Sequence, residues 1–223
     1  MILPFSAIPV NSKKRMMKKK PMKKIYLLAL LVAVLFSGCR GTESVINRFY
    51  LLEYPADQRY WEQEAYPPLP ASLEIASVSV HPAFSAHQIA IREESHEIRY
   101  FTFNEWAIRP GNSLTTLLKD FFHFNPVFQE LVPRQTPRIA DYTLETTVFQ
   151  LEVVKERNRY QARIHLEFKL IDNRSAVVVA SHSADQIREL EKRNLNLFAG
   201  AINEMFLKEV HELAKQIFER IPA

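Results

Sequence analysis

The sequence predicts an α/β fold: a single-domain sandwich with a mixed, largely antiparallel β-sheet packed by two main helices, the second long and C-terminal. Three observations carry this. From Tyr160 to Asp172, Ala162, Ile164, Leu166, Phe168 and Leu170 alternate with Arg163, His165, Glu167 and Lys169, the period of a strand with one buried face. Two apolar stripes at helical spacing run through Leu114, Leu117, Leu118, Phe121 and Phe122, and through Phe198, Ile202, Met205, Phe206, Val210, Leu213, Ile217 and Phe218. Behind a 38-residue leader lie 185 residues, enough for one sizeable core and short for two.

The leader is read first. Lys13, Lys14, Arg15, Lys18, Lys19, Lys20, Lys23 and Lys24 form a positive block without an acid, and Ile25 to Phe36 is an unbroken apolar stretch. That stretch is shorter than the ~20 residues a membrane-spanning helix needs, and it fits the apolar region of a signal peptide. Ser37 and Gly38 are small, and Cys39 is the only cysteine. The run Leu35-Phe36-Ser37-Gly38-Cys39 resembles a bacterial lipobox, with Phe36 where leucine is usual, and this implies cleavage before Cys39 and acylation of it. The alternative is a secreted protein with one buried free thiol, an unusual state in an oxidising compartment. Residues 1–38 are thus expected to be a signal peptide, with 1–15 a mis-assigned start, 39–47 an acylated tether and 48–223 the folded domain. Arg40, not Asp, follows the cysteine, and with enteric-type sorting this points to the outer membrane.

Arg48 to Tyr54 reads as a buried strand. Ala56 to Ala71 carries Pro67, Pro68 and Pro70 with Tyr60, Trp61 and Tyr66, and is read as a connection, the prolines forbidding a central strand; a partner-binding loop is the sharper alternative. Ser72 to Val80 reads as one strand whose apolar phase changes midway, by a bulge or by burial on both sides. Gln88 to Arg92 and Ile98 to Phe103 flank Glu93-Glu94-Ser95-His96-Glu97 as a hairpin with a long loop. Asn112 and Ser113 offer an N-cap for the first helix, and Pro126 marks its limit. Asp141 to Val154 and Tyr160 to Asp172 form the clearest antiparallel pair, and Ala176 to Ala180 continues it after an Asp-Asn-Arg-Ser turn. The last helix is expected from Leu195 to Arg220.

The chemistry that can be written with these residues is sparse. Removing the leader's eight cations takes the 29 Lys and Arg to 21 against 25 Asp and Glu, a formal charge of −4, so the domain has no basic footprint for nucleic acid. Gly41, Gly111 and Gly200 are too far apart for a phosphate-cradling loop or a nucleophile elbow. His81, His87, His96, His123, His165, His182 and His211 show no metal-ligand spacing. Glu93 and Glu94 are adjacent and face opposite ways on a strand, so they make no acid–base pair. No catalytic residue, metal or cofactor is assigned, and the chain is read as a non-enzyme.

Phe49-Tyr50-Leu51-Leu52, Gln88-Ile89-Ala90-Ile91-Arg92, Tyr100, Asn104-Glu105-Trp106-Ala107 and Asp141-Tyr142-Thr143-Leu144, in that order behind a lipobox, resemble the ABC-type transport auxiliary lipoproteins that accompany MCE-domain lipid transport systems, including the paraquat-inducible one. The chain departs from the family at Ala107-Ile108-Arg109-Pro110, where an acidic residue and Pro-Leu more often follow Trp-Ala. The resemblance implies an α/β sandwich without catalysis, anchored by acylated Cys39 and facing the periplasm from the outer membrane. It also implies an MCE-domain partner in a system moving lipids between membranes; homo-oligomer formation is left open. Arg92, Tyr100 and Trp106 are candidate partner-binding residues, since Trp and Arg are enriched at binding hot spots. The competing reading, slightly preferred, has Trp106 plugging the hairpin base and Arg92 paired with a nearby acid. The alternative function is an unrelated outer-membrane lipoprotein acting as an assembly or structural factor, with a lipoprotein enzyme further behind.

Overall fold

A computed structural model describes residues 46–55, 67–134 and 136–221. Cys39 and the aromatic stretch with Tyr60, Trp61 and Tyr66 lie outside them.

The element order is β1 (Arg48–Tyr50), β2 (Leu69–Ile75), β3 (Ser79–Val80), a 3₁₀ turn (Pro82–Phe84), β4 (Gln88–Arg92), β5 (Ile98–Trp106), α1 (Pro110–Phe124), β6 (Phe128–Leu131), β7 (Tyr142–Glu156), β8 (Arg159–Asp172), β9 (Val177–Leu190) and α2 (Leu195–Arg220). The nine strands make one mixed sheet built around β7. One side of β7 pairs antiparallel with β8 from Tyr142–Asp172 to Glu156–Arg159, and β9 pairs antiparallel with β8 beyond it. The other side of β7 takes three short parallel partners in turn: β2 at Tyr142 to Leu144, β3 at Thr147 and Val148, and β4 at Glu152 to Val154. From these, β6 extends β2, while β5 and then β1 extend β4.

The predicted meander and both helices are present. The alternation in β8 buries Ala162, Ile164, Leu166, Phe168 and Leu170 completely. α1 packs on β2, β3 and β6, while α2 packs on β8 and β9 and touches α1 and β1. Their stripes join the sheet in one apolar cluster in which Phe121, Phe168, Phe198 and Phe206 have no exposed surface. Burying a side chain of that size contributes about 1.5–3 kcal/mol.

Four local expectations are corrected. The Arg48–Tyr54 strand stops at Tyr50 and is not buried. β1 is an edge strand, and the chain leaves it to cross the helices, where Glu53 bonds Asn203 and Tyr54 stacks on Phe124. Pro70 lies inside β2 and is tolerated there because the pairing with β6 is irregular between Leu69 and Ser72 and that with β7 begins only at Leu73. The phase change in 72–80 is a break between β2 and β3 rather than a bulge, with Ala76 N–H donating to Leu144 O. The first helix begins at Pro110, not after Asn112. Proline at the first helical position has its φ preset, and Arg109 precedes it without a side-chain cap. Gly111 sits so close to the β2–β3 connection that a Cβ there would lie 2.9 Å from Val78 O.

Candidate functional site

The register of β4, β7, β8 and β9 decides which side chains share the face turned away from the helices. Ile89 and Ile91 point into the core, so Ala90 and Arg92 point outward. The pairings Ala90–Glu152, Glu152–Arg163 and His165–Asp185 bring Arg92, Glu152, Arg163 and Asp185 into one row across four strands. Their charges alternate. Arg92 Nε donates to Glu152 Oε1 at 2.9 Å and its Nη1 to Ser95 O at 3.0 Å. Arg163 forks onto Asp185, with Nε to Oδ1 at 2.9 Å and Nη2 to Oδ2 at 2.7 Å. At the end of the row Glu93 accepts from Arg99 at 2.7 Å and Lys155 at 3.1 Å.

Above these pairs, where β4 meets the β7–β8 hairpin, lies a groove of about 630 Å³ lined by Arg92, Glu94, Lys155, Arg157, Arg159 and Arg163 among others. Arg157 holds φ 55°, the left-handed region favoured by glycine, in the tight turn to β8. The groove's electrostatics suit recognition better than proton transfer. The Lys155 and Arg99 hydrogen bonds hold the Glu93 carboxyl below its ordinary range, and the Arg163 fork does the same to Asp185 while raising Arg163 itself. Carboxylates held ionised in this way are poor acids and weak bases at neutral pH. Among the described residues, no group of three or more His, Cys, Asp or Glu side chains could hold a metal ion.

The three candidate partner residues are not brought together. Arg92 lies on the outer row, bound to Glu152. Tyr100 is 47% exposed, its hydroxyl donating to Ala83 O at 3.1 Å. Trp106 is 2% exposed and its ring tilts against Phe198 at a centroid distance of 5.7 Å, at the base of the β4–β5 hairpin. A joint Arg92–Trp106 surface is therefore not formed in this conformation, and the arrangement is that of the competing reading. Cys39 lies outside the described residues.

Sequence reasoning did not find the acidic half of the row. Glu152 has no exposed side-chain surface although it sits on the outer face, and nothing in its neighbourhood along the chain distinguishes it from Glu145 or Glu156. A second missed cluster lies beneath α2. His182 Nε2 is 2.6 Å from Glu209 Oε2, Gln186 Nε2 donates to Glu209 Oε1 at 2.9 Å, and Gln216 Nε2 is 3.1 Å from His182 Nδ1. The signal was present in the polar, inward-facing positions of β9, but it becomes legible only once β9 is known to reach Leu190.

Two solved structures share the fold. A Xanthomonas campestris protein superimposes with a TM-score of 0.62 at 18% identity, covering 79% of this chain and 94% of its own. An uncharacterized protein gives a TM-score of 0.58 at 16% identity, covering 77% and 99%. No curated protein matches the sequence. A family model described as ABC-type transport auxiliary lipoprotein component matches residues 50–217, from the end of β1 into the last turns of α2. That match spans nearly the whole folded domain, and the chain belongs to the family of ABC-type transport auxiliary lipoprotein components.

Proposed function

We propose that this chain is a membrane-anchored, non-catalytic component of an MCE-type ABC system that moves lipids between membranes. The observation that supports it most is the family match over 50–217, and the lipobox-like run ending at Cys39 supplies the anchor. Acylated Cys39 holds the domain at the outer membrane, facing the periplasm, and several acyl chains together anchor firmly where one binds only marginally. The outer row and groove around Arg92, with exposed Tyr100 on the neighbouring strand, are the surface offered to an MCE-domain partner. Alternating charge there sets orientation and rejects wrong partners more than it adds raw affinity.

The test is crosslinking in cells, purification through the lipoprotein and mass spectrometry of what is recovered. An MCE-domain protein with an ABC permease and ATPase is expected. Quantitative recovery of the lipoprotein without any of these overturns the MCE assignment and favours an assembly or structural role. Fractionation tests the anchor separately. Cys39→Ala is expected in the soluble fraction and the native protein in the outer-membrane band; sedimentation of the variant with membranes in high salt contradicts the anchor.

A further inference from the structure

Exposed apolar side chains are concentrated where the folded domain begins. Of the thirteen large apolar residues that stay exposed among the described residues, Ile46, Phe49, Leu51, Phe103 and Ile108, with Tyr100 at the far end of β5, belong to β1, β5 and the chain just flanking them. The parallel register pairs Tyr50 with Trp106 and Arg48 with Asn104, and the Tyr50 hydroxyl donates to Asn104 Oδ1 at 3.1 Å. Tyr50, Asn104 and buried Trp106 therefore share the core side. Phe49, paired with Glu105, and Phe103 point the other way; Phe49 is 61% exposed and Phe103 45%. Beyond the strands, Ala107 N–H donates to Tyr50 O, which sets Leu51 beside the start of the 107–109 segment that carries exposed Ile108. Among the described residues β1 pairs with β5 alone, so this surface ends at a sheet edge.

Chain length decides what such a surface meets. Ile46 lies seven residues after Cys39, a reach of at most about 25 Å even when fully extended. A compact domain of about 175 residues has a radius of gyration of about 16 Å and hence a diameter near 40 Å. The tether is shorter than the domain is wide, so an anchored domain cannot turn the end bearing Ile46 far from the bilayer. Exposed apolar side chains held there exchange water for the acyl–headgroup boundary, the region favoured by aromatic and aliphatic residues of interfacial segments.

We propose that the β1–β5 edge, through Phe49, Phe103, Ile46, Leu51 and Ile108, rests on the lipid bilayer that holds the acyl anchor. The proposal rests on acylation of Cys39. It gives the domain a fixed pose in which the β1 edge, paired with Asn104 to Trp106, meets lipid, while the Arg92–Tyr100 end of the β4–β5 hairpin and the β8–β9 side of the sheet stay free for partners.

The test uses the full acylated chain, in which Cys39 is blocked by its lipid, with Phe49→Cys as the only free thiol carrying an environment-sensitive fluorophore. Val177→Cys, at an exposed position on the opposite sheet edge, is labelled in the same way. Both are reconstituted into phosphatidylcholine vesicles with and without lipids bearing spin-label quenchers. A blue shift and several-fold stronger quenching at residue 49 than at 177 are expected. If the protein floats with the vesicles but residue 49 emits and is quenched like residue 177, the docking fails while the anchor stands. If the protein does not float, the anchor fails and the docking falls with it. A blue shift at residue 49 that grows with protein concentration in the absence of lipid assigns the surface to a second copy of the chain and overturns the proposal.

Discussion

On the outer face of the β7–β8–β9 meander Arg163 forks onto Asp185 half in solvent, while on the inner face His182 reaches Glu209 under the cover of α2. Both are pairs of opposite polarity within hydrogen-bond distance, yet water separates their consequences. Exposed pairs contribute roughly 0–1 kcal/mol, because hydration and screening offset most of the attraction. Around Glu209, whose side chain is 4% exposed, removing one member strands the others without solvent, and a stranded buried group costs about 1–3 kcal/mol. The Arg163–Asp185 pair can thus vary its partners at little cost to folding. The inner cluster instead fixes where α2 sits along β9, since His182 and Gln186 both meet the one carboxylate.

The apolar floor between these faces should show the largest effect. Phe168→Ala or Trp106→Ala is expected to cost about 3–5 kcal/mol, read as a lowered Tm or urea midpoint. For Trp106 the comparison is especially sharp. A variant that keeps its Tm but no longer co-purifies with an MCE-domain protein would return Trp106 to the partner surface.

Next comes the inner cluster against the outer row. Glu209→Ala should lose about 1–3 kcal/mol and Asp185→Ala less than about 1 kcal/mol by denaturant titration. Equal losses would erase the distinction between the faces. Gly111→Ala probes a tight approach of another kind, since its Cβ would press on Val78 O 2.9 Å away, and overpacking of that type costs about 1–3 kcal/mol.

The smallest expected effect is in pH dependence. Asp185 is held below its ordinary value of 3.8 by the Arg163 fork, and Asp141 by the Ser72 hydroxyl at 2.7 Å and the Ser72 amide at 3.0 Å. The folded form therefore binds these protons less readily than the unfolded one. Their contribution is complete above the ordinary carboxylate range near pH 4 and disappears as the pH falls through the depressed values. His211 adds to this at higher pH, because burial lowers its pKa from 6.5 and protonation below that value favours the unfolded chain. Urea midpoints at pH 7, 5 and 3 should fall in that order, less steeply between 5 and 3 for Asp185→Asn than for the native protein; an unchanged slope contradicts the Asp185 assignment.

Elements with a strict period were legible in the sequence. β8 and α2 were found with nearly their final bounds, because each repeats its apolar spacing for several turns or pleats on one continuous buried face. β6, of four residues, was not read, and two-residue β3 was read as the end of one strand with β2; both exist because β2 or β7 offers them a ladder. β9 was read as five residues and has fourteen. Its inner positions His182, Gln186 and Arg188 are polar and are satisfied by Glu209 and Glu204 from α2, partners that only the tertiary structure brings near. The outer row was half legible: the expected acid for Arg92 exists, but its identity depends on the β4–β7 register, across 60 residues of chain.

The position of β7 between one long partner and three short ones has a kinetic consequence. β7, β8 and β9 are consecutive and can pair through short turns, whereas β2, β3 and β4 have no common edge to join until β7 exists. Long-range pairing of this kind is slow, because loop-closure entropy is lost before contacts are gained. A chain made from its amino end thus presents β2, β3 and β4 before the strand that joins them exists. Assembly is expected to run backwards, from the last strands to the first, and pulse-labelled hydrogen exchange should find protection in β7–β9 before β2–β4.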